Sequence, residues 1–432
     1  MKIGMQTWGS HGDMRPMLAL AEGLQAAGHE VTLVLTCVNS ADAQYLQTRH
    51  GVNIRMVASP VFTDAQGELL GRKAFAEPDP MQQLALIMQH CFAPAEDAMF
   101  EAAQALCRES DVLIGHFFMH PLQIAAERAA RPYLSVVLTP SIIPSKFITP
   151  TGLPALGQLG NRFFWWLAKW GINRQVKKYP ARLRQQLGMA APKDMMTQIW
   201  ISEHLTLLGV SPQLCQRQPD WPPHIQVCGF LDMPNLSVEG ELPATLSAFL
   251  QAGPAPVYMT FGSMMPKDAS NHAEALKLLT GATREAGCRA IIQSGMWQEC
   301  GFVPSEQILF VAATPHHQVF PHCRAILHHG GAGTTQSVTL AGKPSIVLAH
   351  ISEQVEWGNE LQRRGMAGKP LERRNATVQG VAQLIKQVLA APDMQDKAQA
   401  IAQAMRQEDG VKAAVRLIEL AVTAAGISPR PI

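Results

Sequence analysis

Short apolar runs alternate with amphipathic stretches along this chain, and the alternation runs through twice. Lys2–Thr7 reads as a buried strand and Trp8–Asp13 as a glycine-containing loop. Pro16–Ala27 follows as an amphipathic helix, closed by Gly28 at the usual C-terminal position, and Glu30–Leu35 is the next strand. Val112–Gly115 and Tyr133–Leu138 are continuous apolar runs, the mark of parallel strands covered on both faces, with helical Leu122–Ala130 between them. The pattern breaks over Thr139–Asp194, which is proline-rich and then aromatic and basic (RFFWWLAKWGINRQVKK), a helix-compatible stretch. The proline-dense QPDWPPHIQVCGFLDMPN, Gln218–Asn235, marks a junction. Alternation then restarts: strand Val257–Phe261, helix Ala273–Ala286, strands Ala290–Gln293, Ile308–Val311, Ala325–Leu327 and Ser345–Ala349, and a closing apolar helix, Val411–Ala425.

Two such series predict an α/β protein of two doubly wound domains facing each other, 1–233 and 234–410, with 411–432 a terminal helix packing back toward the first. Ligands of such sheets bind beyond the carboxyl ends of the strands. The loops Trp8–Asp13, Gly262–Met265, Thr314–His317 and His328–Thr335 all follow strands, so one interdomain cleft is expected to gather them.

The densest chemistry lies in AILHHGGAGTTQSVTLAGKPSIVLAHISEQ, Ala325–Gln354. It reads as a strand, a turn holding two histidines, glycines and two threonines, a helix from Gln336, and a second strand. Amide N–H groups at a helix N-terminus bind anions, and glycines let a phosphate approach the backbone. A diphosphate is the expected ligand, with His329 adding a donor or positive charge and Thr334 and Thr335 adding hydroxyls. The run lacks GKS or GKT, so a nucleoside-triphosphatase loop is not indicated.

Bulk properties narrow the classes. A chain of 432 residues exceeds one ordinary core, and 47% apolar with 16% charged residues suits an α/β enzyme. A net charge of +2 without a dense basic run argues against nucleic acid. Eight scattered cysteines without a CxxC pair argue against zinc and disulfides and for a reducing cytosol. MKIGMQTWGSHGD is a strand and loop rather than a signal peptide, and no run of about twenty apolar residues offers a membrane span. A dinucleotide-dependent oxidoreductase is disfavoured: GSHGD is not G-x-G-x-x-G, and VTLVLT ends without the ribose-binding acid.

Four stretches, GSHGDMRPMLALAEGLQAAGHEVTL, WPPHIQVCGFLD, TFGSM, and TPHHQVFPHCRAILHHGGAGTT through SEQVEWGN, resemble the family 1 glycosyltransferases. The likeness is greatest to the sterol glucosyltransferase and glycopeptide-antibiotic glycosyltransferase branch. The resemblance implies two facing Rossmann-like domains (GT-B architecture) with an interdomain cleft. It also implies inverting transfer of a hexose from a UDP-sugar, a co-substrate rather than a cofactor, to a hydroxyl of an apolar small molecule or lipid. Asp13 matches the position of the catalytic base, although an Asp there also suits the first turn of a helix. Ser263 matches a phosphate-contacting serine, and His329, Gly330, Gly331, Gly333 and Thr334 the diphosphate turn. Thr314 and His316 match the stretch that holds base and ribose. Glu353–Gln354 replaces the customary Asp–Gln pair for donor-sugar hydroxyls, one methylene longer.

No metal is implied, since the cleft loops carry neither a DxD cluster nor metal-spaced ligands. His11, His116 and His120 are candidate partners of Asp13 or acceptor contacts. Phe163–Lys178, with Trp165, suits an acceptor wall, a peripheral contact with an anionic membrane, or plain packing with a solvated basic flank. Thr63–His90, rich in Met and Leu, is the other expected acceptor segment. UDP-glucose leads as donor, a thymidine-linked deoxysugar follows, and a non-catalytic nucleotide-sugar or glycolipid binder is the remaining alternative.

Overall fold

A computed structural model describes residues 1–37, 52–59, 69–70, 73, 77, 79–150, 152–232, 242–266 and 268–426. Of the expected acceptor segment Thr63–His90, residues 63–68, 71, 72, 74–76 and 78 lie outside these. The chain forms two compact units, one of Met1–Val61, Glu77–Met233 and Glu408–Ile432, the other of Phe62–Ala76 and Pro234–Gln407.

The first unit is built on a seven-stranded parallel sheet: β1 (Lys2–Gly9), β2 (Glu30–Cys37), β3 (Asn53–Met56), β4 (Val112–His116), β5 (Tyr133–Val137), β6 (Thr206–Leu208) and β7 (Ile225–Val227). Its order is β3-β2-β1-β4-β5-β6-β7, so the winding reverses between β1 and β4, where a doubly wound sheet opens its ligand crevice. The β4 and β5 strands are buried at every position, which is why they read as unbroken apolar runs.

Helix α1 (His11–Ala26) begins five residues before the expected Pro16. Ser10 is its N-cap and Asp13 its third residue, together a capping box that folds most of the expected loop into the first turn. Around the sheet lie α2 (Pro80–Ile87), α3 (Glu96–Glu109), α4 (His120–Arg128), α5 (Gly157–Val176) and α6 (Lys178–Gln186). The strands β3, β6 and β7, absent from the sequence reading, are edge or near-edge strands of three or four residues, too short to show a period.

The second unit repeats the plan with six parallel strands, β8 (Val257–Thr260), β9 (Ala290–Gln293), β10 (Ile308–Val311), β11 (Ala325–His328), β12 (Ser345–Ala349) and β13 (Leu371–Glu372), ordered β10-β9-β8-β11-β12-β13. Successive side chains alternate between two cores. Val257, Met259, Ile292 and Leu327 meet Leu276, Leu279 and Ile385 on one face. Tyr258, Ile291 and Ile326 meet Phe320 and Val338 on the other. The helices are α7 (Ala244–Gln251), α8 (Ala269–Ala286), α9 (His316–Val319), α10 (Ala332–Leu340), α11 (Ser352–Arg363), α12 (Val378–Leu389) and α13 (Pro392–Met405). The last helix, α14 (Gly410–Ala424), belongs to the first unit, where Val411 lies against Gly23 of α1 and Glu419 accepts from His29 at 3.2 Å. All eight cysteines are free thiols.

Candidate active site

At the switch point of the first sheet, the end of β1 and the end of β4 bring Asp13 and His116 together. Ser10 donates to Asp13 Oδ2 through its backbone N–H at 2.8 Å and its hydroxyl at 3.1 Å. The other oxygen, Oδ1, faces His116 Nε2 at 3.9 Å. Gly9 makes room for this carboxylate. Its φ is +140°, and a Cβ there would lie 2.3 Å from Asp13 Oδ2. His116 is buried, and neither ring nitrogen has a hydrogen-bond partner among the described residues. Burial pushes its pKa below the ordinary value, while the Asp13 carboxylate pulls it up. A neutral imidazole beside an anchored carboxylate is an arrangement suited to receiving one proton.

Aromatic rings surround this pair. Trp8 packs edge-on to Phe92 at 5.0 Å and Phe118 at 6.1 Å, and Phe117 and Phe118 both meet Trp200, at 5.5 and 5.9 Å. His116 touches Phe117 at 4.6 Å and Phe118 at 5.8 Å.

Two candidates sit elsewhere. His120 does not meet Asp13; it is buried at the start of α4 and donates to Glu96 Oε1 at 2.5 Å, while Arg182 pairs with the other Glu96 oxygen. Burial raises the Glu96 pKa, but His120 and Arg182 more than offset it, and the carboxyl titrates below its ordinary value. Buried Glu96 and His120 with half-exposed Arg182 tie α3, α4 and α6 together. Trp165 is likewise inside, its indole donating to Ile148 O at 2.7 Å. The exposed rings of that helix are Phe163, Trp166 and Trp170. His11, the first residue of α1, is half-buried.

In the second unit the turn after β11 leads straight into α10, which starts at Ala332, four residues before the expected Gln336. Gly331 is its N-cap and supplies no side chain, so the first amides of the helix carry no side-chain cap. The first intrahelical bond recorded runs from Thr335 N to Gly331 O at 2.9 Å, leaving the N–H groups of Ala332, Gly333 and Thr334 at the open end. Gly330 has φ +87°, and a Cβ there would lie 2.7 Å from Gln354 O, so only glycine seats this turn. Thr334 is half-buried at the helix start, whereas Thr335 is fully buried, its hydroxyl without a hydrogen-bond partner among the described residues.

Three histidines ring the turn. His328 is fully buried, and its Nδ1 accepts from Gly330 N at 3.1 Å, which puts the ring proton on Nε2. His329 lies between Gly262 and Gly331, a Cβ on Gly331 falling 2.4 Å from its Nε2. His350, at the end of β12, packs edge-on to Phe261 at 4.8 Å. Burial drives the pKa of His328 to about 3, of His329 to about 4 and of His350 to about 3, with neighbouring imidazoles adding to the effect at His328 and His350. These groups are neutral donors at pH 7, so of the donor or positive charge expected of His329 the ring offers the donor. His328 and His350 were not among the sequence candidates. Their signal was position, each at the carboxyl end of a strand, β11 beside the switch point and β12 next to it.

The remaining candidates border the same strand ends. Ser263 lies in the single turn Gly262–Met264 after β8, its side chain outside the described atoms. The Thr314 hydroxyl bonds Tyr258 OH at 2.6 Å, and Tyr258 OH reaches Gln293 at 3.1 Å. His316 stacks on Phe320 at 4.4 Å, with Nε2 3.5 Å from Gln293 Oε1. Glu353 sits half-buried in the first turn of α11. Gln354 is buried, and its side-chain oxygen Oε1 accepts from His350 N at 2.7 Å and Ile351 N at 3.3 Å. That oxygen therefore holds the start of α11, and the donors of the side chain are its Nε2 hydrogens.

Two parallel doubly wound sheets, each with its polar side chains at the carboxyl strand ends, define the two-domain GT-B class. A solved glycosyltransferase of kitacinnamycin superposes with a TM-score of 0.71 at 16% identity, covering 97% of this chain and 98% of the other. Residues 289–420 match the family model described as erythromycin biosynthesis protein CIII-like, C-terminal domain. A sterol 3-beta-glucosyltransferase of Arabidopsis thaliana is 27% identical over 435 residues, 96% of this chain and 65% of the relative, so the chain spans just under two thirds of that protein. An O-mycaminosyltylonolide 6-deoxyallosyltransferase of Streptomyces fradiae is also 27% identical, over 97% of each chain. Over nearly its whole length the chain is similar to sterol and antibiotic glycosyltransferases, and these likenesses support a glycosyltransferase of family 1 type.

Proposed function

We propose that this protein transfers a hexose, glucose first among candidates, from a UDP-sugar to a hydroxyl of an apolar small molecule or lipid, inverting the anomeric centre without a metal. The observation that carries this reading is the uncapped, glycine-lined N-terminus of α10 ringed by neutral histidines. It presents amides and neutral N–H donors to a diphosphate. In this reading the α10 amides, His329, Thr334 and Ser263 hold the diphosphate, Thr314 and His316 border the nucleoside, and Glu353 with the Gln354 amide bonds the sugar hydroxyls. Asp13 takes the acceptor's hydroxyl proton on Oδ1. The acceptor oxygen bonds the anomeric carbon as its bond to the diphosphate oxygen breaks, and UDP departs with the electron pair. An α-linked donor then gives a β-glycoside. His116 is a positioning residue whose imidazole orients Asp13 Oδ1 and stabilises its protonated state.

The aromatic surround of Asp13 supports an apolar acceptor, and the sterol-directed name of the plant relative points the same way. A deoxysugar donor is the second reading, supported by the 6-deoxyallosyl name of the Streptomyces relative and by Glu353 in place of the customary aspartate. The test incubates the protein with UDP-glucose or a thymidine-diphosphate deoxysugar and a panel of hydrophobic alcohols, reading product mass and anomeric configuration by NMR. A β-glycoside from UDP-glucose is expected. A retained α-configuration would refute the single-displacement chemistry, and product from the thymidine donor alone would move the assignment to the second reading.

A further inference from the structure

Helix α5 (Gly157–Val176) is apolar on two opposite sides. Its inner face is fully engaged. Trp165, Ile172 and Val176 are buried, Asn161 donates to Lys146 O at 3.0 Å, and Lys169 pairs with Asp194 at 2.7 Å. The outer face carries Leu159, Phe163, Trp166 and Trp170, exposed by 81%, 57%, 61% and 55%. Their spacing places all four within an arc of about 60° on a helix of 3.6 residues per turn, roughly opposite the buried set. Phe163 and Trp166 stack on each other at 5.9 Å, so the stripe is a continuous aromatic surface. Scattered exposed apolar residues are ordinary, but an aligned aromatic stripe on a helix already packed on its other side is not.

The charges choose the occupant. Residues 157–178 contain no Asp or Glu; Lys169 is neutralised by Asp194, and Arg162, Arg174, Lys177 and Lys178 supply four further cations. Arg174 lies over the Trp170 ring at 5.6 Å, and Lys177 continues the stripe beyond the last turn. A second copy docking the same face would oppose cation to cation, a repulsive isologous contact. A surface of negative headgroups above an apolar layer satisfies both features, with tryptophan at the boundary and lysine reaching the phosphates. No described helix is long and apolar enough to cross a bilayer, so contact is from one side.

We propose that the outer face of α5 seats this protein on the surface of an anionic lipid bilayer. Of the placements open from sequence, this one uses the exposed rings, and the proposal does not depend on donor or acceptor identity. The full chain is sedimented with vesicles of phosphatidylcholine alone or with about 30% phosphatidylglycerol, at low and high salt. Wild type is expected to pellet with the anionic vesicles, weakly with the neutral ones, and less at high salt. Trp166→Ser/Trp170→Ser is expected to lower the bound fraction roughly tenfold with an unchanged circular dichroism spectrum, since both rings are exposed. Lys177→Glu/Lys178→Glu is expected to remove the preference for anionic lipid. Failure of wild type to bind, or equal binding by the double tryptophan variant, would overturn the proposal. So would light scattering that shows a dimer which the tryptophan variant converts to monomer.

Discussion

Asp13 divides two tasks between two oxygens. Oδ2 closes the capping box of α1 with Ser10, and Oδ1 faces His116, so a helix start and a proposed base are one side chain. The sequence allowed both readings, and the geometry shows the helix-start role on one oxygen while leaving the other toward His116. Asp13→Asn keeps a carbonyl for Ser10 and is expected to fold and bind donor normally while losing about 10²- to 10⁴-fold in turnover. Steady-state rates with donor calorimetry check this, and unchanged turnover would remove Asp13 as base. His329→Ala is expected to weaken UDP itself about 10- to 100-fold, the worth of a hydrogen bond to a charged group. Equal UDP affinity in variant and wild type would contradict the role. His116 and His120 show where residue-level reading stops. Both follow the same apolar run, but one turns toward Asp13 and the other toward Glu96, and Glu96 is a distant sequence position that no local pattern connects to it.

The elements that hold the candidate site were legible as to type and misjudged at their starts. Both α1 and α10 begin within runs of Gly, Ser, Asp and Thr, residues that serve loops and first helical turns alike, so each helix was read four or five residues late. The strands Ala290–Gln293, Ile308–Val311 and Ser345–Ala349 were readable to the residue because burial on both faces makes them uninterrupted. The turn into α10 yields two predictions. Gly330→Ala forces a side chain into a positive-φ position against Gln354 O and is expected to cost about 1–2 kcal/mol and weaken diphosphate binding. Denaturant midpoints and UDP titrations read both effects, and an unaltered midpoint would contradict them.

The histidine ring sets a pH dependence. His328, His329 and His350 titrate near 3, 4 and 3 when folded, against about 6.5 in an unfolded chain. Below pH 6.5 the unfolded state takes up protons that the folded state refuses, so this stability is complete above that value and falls as pH drops toward 4. Melting temperature is expected to decline from pH 6.5 to 5, before most carboxylates titrate. The slope should be shallower in His329→Gln and with saturating UDP, whose negative charge favours protonated imidazole. A flat profile in wild type would contradict neutral burial of these rings.

At the scale of the molecule, one plan is used twice, and each sheet places its polar residues at its own switch point. The repetition of alternating runs made this visible, whereas the short strands β6, β7 and β13 and the ion cluster of Glu96, His120 and Arg182 arise from tertiary packing and left no periodic trace. The unit holding β1 supplies the proposed base and the unit holding β11 the proposed donor turn, so donor binding and turnover are separable by mutation. The most direct measurement follows UDP release from UDP-glucose in wild type and Asp13→Asn, with and without a hydrophobic alcohol, beside calorimetry of donor binding. Alcohol-dependent release in wild type, its near-complete loss in Asp13→Asn, and equal donor affinity in both are the predicted result. Absence of donor binding to wild type, or release unaffected by Asp13→Asn, would contradict the account.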